Sequence, residues 1–513
     1  MGEPKQGIPS KGLISPKTWR RLRIAVQIIV FLAFLLIFIL TPQQKFSPSI
    51  ISLPVRLSPL VMVGSSIAAR VLLPGIALAI VFLLFSILCG RTWCGWLCPL
   101  GSIIEVFSFK KSREFRLTNG WRKIKYVLFF LLVSAAVFQN LALLSLDPIT
   151  ILYRTFTISI WPVFSLIVQR AENLLYQISS LRPAVNSFDN FIRPGLFSNI
   201  QIFFYQSVLI FCLFLLVIGL NYFARRFWCR YICPMAGMLG LISRISIIKR
   251  RVTEECISCG KCEQVCQTAT VESINNYRSD PAECTLCMDC IASCPNRSNE
   301  ISIQPLPSSK MPYDPSRREA LISVGAAAVG AALINIEPEP VNTSSFLIRP
   351  PGVDEEEFLN QCVRCGECMR VCPTNAVQPA MFESGVSGFW TPIIVSRIGY
   401  CDYSCNQCGQ ICPVQAIPPL PVEEKRTTPI GSAYIDQNRC IPWADNRDCI
   451  VCEEMCPTPT KAITLTQHQS GWKNSGVLLP VVNRDICIGC GICENKCPVT
   501  GQAAIQVHVL KKY

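Results

Sequence analysis

Histidine is almost missing from this chain: 513 residues contain two, His468 and His508. No Cys-x-x-Cys-His run is present either, so a multihaem or bis-histidine haem protein is excluded for want of ligands. There is no phosphate-cradling P-loop, and no glycine-rich dinucleotide fingerprint follows a strand. Acidic residues are also short, 34 against 48 basic ones, leaving a net charge of +14. Such a balance invites a nucleic-acid reading, but the placement of the basic residues argues for something else.

Half of the residues are apolar and mean hydropathy is positive. Four apolar stretches run at Ile24–Leu40, Pro74–Gly90, Tyr126–Leu146 and Ile202–Phe223. Each approaches the ~20 residues that cross ~30 Å of hydrocarbon as a helix. Runs such as IVFLAFLLIFIL leave no polar face for a soluble core helix. Lys5, Lys11, Lys17, Arg20, Arg21 and Arg23 precede the first stretch. Eight basic residues lie in 91–125 and seven in 224–252, which makes twenty-one on the leader side against seven in the loops 41–73 and 147–201. The positive-inside rule therefore predicts a cytoplasmic leader, 91–125 loop and post-223 segment. Much of the charge is thus a topology signal, and no nucleic-acid partner is expected. The apolar piece Thr157–Val168 is read as an interfacial or re-entrant helix on the outer side, with a further span as the alternative.

Thirty cysteines remain to be explained, and twenty-four fall in six tight runs. The first two are Cys256, Cys259, Cys262, Cys266 and Cys284, Cys287, Cys290, Cys294, the last followed by Pro295. This is the bacterial two-cluster ferredoxin spacing, in which three thiolates wrap one face of a [4Fe–4S] cube and the fourth ligates the other cluster. The pattern assigns Cys256, Cys259, Cys262 and Cys294 to one cluster, and Cys284, Cys287, Cys290 and Cys266 to the other. Gln267 stands where proline usually follows the fourth ligand.

Four more runs follow: Cys362/Cys365/Cys368/Cys372, Cys401/Cys405/Cys408/Cys412, Cys440/Cys449/Cys452/Cys456 and Cys487/Cys490/Cys493/Cys497, each closed by proline. They supply ligands for four further clusters, and the expected exchange of fourth ligands is nested, first run with fourth and second with third. Zinc prefers separated Cys-x-x-Cys pairs or Cys/His mixtures, and cysteines two apart rarely meet disulfide geometry. Of the six cysteines left, Cys89 and Cys212 lie in apolar stretches and read as ordinary buried residues. Cys94, Cys98, Cys229 and Cys233 form two matched Cys-x3-Cys-Pro motifs. Cysteines four apart share a helix face, so these four are candidate ligands for a seventh cluster, with a thiol pair as the alternative.

The first ~300 residues, with their apolar stretches, two Cys-x3-Cys-Pro motifs and two-cluster tail, resemble the NapH/MauN membrane ferredoxins. The last ~200, with four cysteine runs, resemble the NapG/MauM polyferredoxins. The segment Ser316-Arg317-Arg318-Glu319-Ala320-Leu321-Ile322 is similar to a twin-arginine export signal. The expected architecture is multidomain: an α-helical transmembrane bundle of four spans, with a fifth, plus α+β bacterial ferredoxin-like 4Fe-4S domains. Its parts are a basic leader 1–23, a membrane domain 24–252, a two-cluster domain 253–303, a linker 304–350 with the fifth span at 316–336, and a four-cluster domain 351–513. The leader and two-cluster domain are expected in the cytoplasm and the four-cluster domain outside it, at the inner membrane, with a relic linker and all clusters in the cytoplasm as the alternative.

The resemblance implies passage of electrons between the quinone pool and a periplasmic or cytoplasmic redox protein, as a quinol dehydrogenase-type component without its own substrate-converting motif. It also directs attention to Asp147 and Arg154, in Asp-Pro-Ile-Thr-Ile-Leu-Tyr-Arg, as residues near a quinone, with loop capping as the competing role. Two rival classes are an assembly factor supplying electrons for cofactor maturation and an iron–sulfur subunit of a larger respiratory complex. Deleting the gene separates a partner enzyme left unassembled from one merely starved of electrons, and co-purifying subunits reveal the complex.

Overall fold

The computed structural model describes residues 16–43, 47–108, 119–191, 197, 201–303, 325, 330, 347–381, 383, 385, 387–467 and 476–509. The twin-arginine-like segment and nearly all of the expected fifth span lie outside these residues. So do Lys5, Lys11, Lys110, Lys111, Arg113 and Arg116. Two compact units form: unit 1 draws on 1–34, 81–126 and 218–315, and unit 2 on 35–80, 127–217 and 316–513.

Each of the four apolar stretches contains a helix, but their lengths differ. The helix Pro16–Leu40 has 25 residues and is long and apolar enough to cross a bilayer. Helices Ile76–Cys89, Ile124–Val137 and Ser207–Gly219 have 14, 14 and 13 residues. At 1.5 Å per residue they reach only about 20 Å. Gly90, left-handed at φ +62°, stops the helix Ile76–Cys89.

Among the described residues, the other helix long and apolar enough to cross is the continuous run Pro148–Tyr176. It therefore contains Thr157–Val168 as its middle. Its start has a local cause: Asp147 caps it by accepting the N–H groups of Ile149 and Thr150 at 3.0 and 3.2 Å, and Pro148 occupies the first turn. A π-helical turn at Phe156–Ile160 joins its two halves.

Among the described residues the cysteine-rich segments are built on four two-stranded antiparallel sheets. In unit 1, β1 (Ile248–Val252) pairs with β2 (Asn299–Ile303), so one sheet brackets both runs of 256–294. In unit 2, β3 (Val377–Pro379) pairs with β4 (Pro392–Ile394), and Ile394 also bridges Ile348. β5 (Ser432–Ile435) pairs with β8 (Ile505–His508), while β6 (Ile463–Gln467) and β7 (Leu478–Val482) form the hairpin between them. The small cores behind these sheets mix aliphatic side chains with the cysteines, as in the cluster of Ala433, Ile463, Ile505 and Cys493.

Candidate metal centres

Five cavities are each lined by four cysteines. In unit 1 one holds Cys256, Cys259, Cys262 and Cys294, and another Cys266, Cys284, Cys287 and Cys290. In unit 2 the quartets are Cys362/Cys365/Cys368/Cys412, Cys440/Cys449/Cys452/Cys497 and Cys456/Cys487/Cys490/Cys493. Cys372 then joins Cys401, Cys405 and Cys408: burial raises the Cys408 thiol, and Cys401, Cys372 and Cys405 raise it further. Fourth ligands are thus exchanged between runs one and two and between runs three and four, which corrects the nested expectation. The reason lies in the sheets. β5 precedes run three and β8 follows run four, so their antiparallel pairing encloses both runs in one module.

The donor chemistry fits cubane clusters and not single ions. Among the described residues no three Cys, His, Asp or Glu side chains converge closely enough to hold one metal ion. The quartets instead surround about 290 to 400 Å³ of empty space, mouth included. In the regular runs the chain winds around that space through paired left-handed residues, Ser258 with Gly260, Leu286 with Met288, Arg364 with Gly366, and Gly489 with Gly491. Alternating right- and left-handed backbone turns N–H groups inward and forms a nest for an anion. The irregular run of Cys401–Cys412 has no positive-φ residue between its ligands.

Threonine adds a second recurring feature. Thr268, Thr374 and Thr458 each lie two residues after a fourth-position cysteine, with hydroxyls 3.8, 3.5 and 3.2 Å from the sulfurs of Cys266, Cys372 and Cys456. The corresponding residues after Cys294, Cys412 and Cys497 are Asn296, Val414 and Val499. One quartet of each pair therefore has a hydroxyl at its sulfur that the other lacks.

Cys94, Cys98, Cys229 and Cys233 are all buried in unit 1. They do not share an α-helical face. Trp93–Leu97 and Trp228–Ile232 form π-helical turns, closed by N–H groups of Cys98 and Cys233 on carbonyls five residues back, at 3.0 and 2.9 Å. Pro99 and Pro234 force this, because a residue before proline is driven out of the α region; Cys98 and Cys233 both have ψ of 114°. The two other cysteines correct a simpler expectation: Cys89 is half-buried and Cys212 exposed.

A buried ionic network fixes the loops of unit 1, and sequence reasoning missed it. Glu105 binds Arg23 at 2.8 Å and Arg226 at 2.5 Å, and accepts from Gln27 and Gln267. Gln267 also donates to Asp289 at 2.6 Å, which meets Arg20 and Arg23. The residue that replaces the usual proline thus ties both acids together. A second hub joins Glu283 to Arg91 and Lys125. A legible signal did exist: an arginine stands three residues before the first cysteine of each Cys-x3-Cys-Pro motif.

Asp147 is fully buried and engaged as a helix cap, also accepting from Ser58 at 2.7 Å. Arg154, in the last turn of the helix that Asp147 caps, is stacked 3.8 Å over Trp390 and donates to the carbonyls of Ser145 and Arg364. It lies beside the Cys362 quartet, where Gly366 allows a close approach of its backbone. Arg370 packs over Phe38 and Trp161 at 4.5 and 4.4 Å. Glu367, between two cysteines of that quartet, is completely buried, and neither carboxylate oxygen has a hydrogen-bond partner among the described residues. Burial pushes its carboxyl well above the usual range, with Arg56 acting in the opposite sense.

A family model described as a 4Fe-4S binding domain matches residues 71–117 and 206–253, the stretches holding the Cys-x3-Cys-Pro motifs. A second of the same description matches 358–378 and 480–499. The chain is 36% identical to the ferredoxin-type protein NapG of Escherichia coli (strain K12) over 186 residues, 36% of this chain and 79% of that protein. It is 36% identical to the methylamine utilization ferredoxin-type protein MauM of Methylorubrum extorquens over 204 residues, 38% of this chain and 90% of the relative. For MauM of Paracoccus denitrificans the values are 33% over 202 residues, 37% and 87%. No solved structure matches the chain.

Proposed function

The chain belongs to the NapG/MauM family of ferredoxin-type iron–sulfur electron-transfer proteins, and from that premise we propose that it is a membrane-anchored relay carrying electrons from the quinol pool to a redox-protein partner. In this reading a NapH/MauN-like membrane ferredoxin is fused to the polyferredoxin, and the six cysteine quartets hold six [4Fe–4S] clusters. Bound there, each cluster supplies a site that takes up and releases one electron. The protein's own part is to bury the quartets, aim backbone N–H groups and threonine hydroxyls at the sulfurs, and seat the first quartet on the apolar helices.

The observation that carries the proposal is in unit 2. The Cys362 quartet packs on apolar helices, through Gly366 against Arg154 and Arg370 against Phe38 and Trp161. A lipid-soluble donor on those helices would lie beside this quartet. Exposed Ile29, Leu32, Val208 and Leu216 support a lipid surround for the helices.

The contacts also follow the charge asymmetry. In unit 1 the two-cluster domain meets Arg20 and Arg23 through Asp289 and Glu105 through Gln267, all from segments that the basic residues assign to the cytoplasm. In unit 2 the four-cluster domain rests on residues of 41–73 and 147–201, the loops assigned outside. An extracytoplasmic four-cluster domain follows from this reading.

The test is anaerobic reduction of the purified chain by a short-chain quinol, followed by bleaching of iron–sulfur absorbance. Bleaching by quinol supports the proposal. Bleaching by dithionite alone, with none by quinol at several driving potentials, overturns the quinol assignment. A phosphatase reporter fused after residue 513 is expected to be active, and an inactive one overturns the sidedness.

A further inference from the structure

The second cysteine run of unit 2 is irregular, with three residues between Cys401 and Cys405, and it lacks a device that the regular runs share. No residue between Cys401 and Cys412 has a positive φ. No paired left-handed residues therefore turn N–H groups toward its sulfurs. A cluster held by Cys372, Cys401, Cys405 and Cys408 is as negative as the others, so its charge has to be matched by another group.

A buried cation stands beside this run. Lys425, in the last turn of the short helix Val422–Thr427, is 3% exposed. Its ammonium donates to the carbonyl of Asp402, the residue after Cys401. Lysine is almost never buried to this degree without a counter-charge. The Asp402 carboxylate is turned to Ser404, whose N–H and hydroxyl it accepts at 2.8 and 2.7 Å. Among the described residues the ion pairs of unit 2 are Arg349–Glu355 and Arg447–Asp445, so no carboxylate meets Lys425. The Cys401 sulfur does. Burial pushes that thiol up to about 11, and Lys425 opposes the rise through its charge and a hydrogen bond.

The contacts around the lysine hold it against the irregular loop. Arg426 packs over the ring of Tyr403 at 4.9 Å, and Asn406 donates to the carbonyl of Leu420 at 2.9 Å. Asp402 and Tyr403 belong to the three-residue spacer between Cys401 and Cys405. The spacer that lacks the nest is thus the stretch that the lysine-bearing segment grips.

We propose that Lys425 is the fixed counter-charge of the cluster held by Cys372, Cys401, Cys405 and Cys408, standing in for the missing backbone nest and raising that cluster's midpoint potential. Reduction adds one electron and makes the cluster more negative, so a fixed cation at its sulfur favours the reduced state. This rests on the cluster reading of that quartet and is independent of the quinol assignment.

The test is an electron paramagnetic resonance redox titration of the anaerobically purified full chain, following the signal that Cys405→Ala removes. Lys425→Met keeps the length of the side chain and removes its charge. It is expected to retain iron and to lower the ratio of reduced to oxidised cluster at a given potential at least about tenfold, which is roughly 59 mV for a one-electron couple. Lys425→Arg is expected to keep most of the wild-type potential, which a purely steric role would not produce. An unchanged potential in Lys425→Met with full iron overturns the proposal. The wild type decides the matter even if Lys425→Met fails to load its cluster. With an isotopic label on the lysine side-chain nitrogen, the same signal is expected to carry a nitrogen hyperfine coupling that Lys425→Arg abolishes. No coupling, or one that persists in Lys425→Arg, overturns the proposal. A wild-type spectrum without any signal that depends on Cys405 overturns the cluster reading of the quartet, and the proposal with it.

Discussion

Replacing Glu105 by Gln removes one negative charge from the network of unit 1 while keeping the side chain's size. Burial by itself would raise the Glu105 carboxyl. Arg226 and Arg23, with hydrogen bonds from Arg23 and Gln27, outweigh it and hold the group at about 2 against an ordinary 4.5. Less than a quarter of the side chain meets solvent, so screening takes little from that difference. At about 1.4 kcal/mol per pH unit, the difference corresponds to about 3 kcal/mol.

A carboxyl depressed in the folded state adds stability that is fully present above about 4.5 and disappears as pH falls toward about 2. Glu105→Gln should therefore lower the thermal midpoint of unit 1 by roughly 6–12 °C at pH 7, read from tryptophan fluorescence of the detergent-solubilised chain. Trp93, Trp96 and Trp228 lie in this unit. The gap between wild type and variant should be constant from pH 8 to 5 and close only below about 4.5. A midpoint within about 1 °C of wild type at pH 7, or a gap that widens on acidification, would refute the argument.

The remaining predictions concern the cysteine quartets. Cys412→Ala should perturb the same paramagnetic signal as Cys365→Ala, and Cys372→Ala the same as Cys405→Ala; matching Cys412→Ala to Cys452→Ala would restore the nested exchange. Thr458→Val should lower the midpoint potential of the cluster held by Cys456, Cys487, Cys490 and Cys493, because a hydroxyl donated to sulfur favours the more negative reduced state. An electron paramagnetic resonance redox titration showing no shift, or a rise, would contradict it. Gly399→Ala should cost roughly 1–3 kcal/mol or more and deplete the cluster of Cys372, Cys401, Cys405 and Cys408. The added methyl would overlap the Thr374 carbonyl, two residues after Cys372. Full iron content in that variant would count against this packing.

Several features were legible because they depend on neighbours in the chain. Three thiolates two residues apart need only a tight loop, and that spacing is visible at Cys256, Cys284, Cys362 and Cys487. The shortage of histidine removed haem before any fold was considered. Asp147 before Pro148 is a helix-start signature, and the cap it makes is local. Other expectations failed where a local rule met a longer constraint. The α-helical face proposed for Cys94 and Cys98 gave way to a π turn, because Pro99 changes the conformation of the residue before it.

By itself, then, the sequence determined the ligand type, the loops that wrap each cluster face and the basic residues that bias sidedness. The tertiary structure alone decided which run lends its fourth cysteine to which; for runs three and four that depends on the pairing of β5 with β8 across some seventy residues. It also decided that Arg91 donates to the carbonyl of Cys229, Arg226 to that of Cys94, and that Gln267 joins two acids. The physical reason is that hydrogen-bonding and charge matching between distant segments are satisfied only after the chain has folded, and no spacing along the chain encodes which buried donor will meet which acceptor.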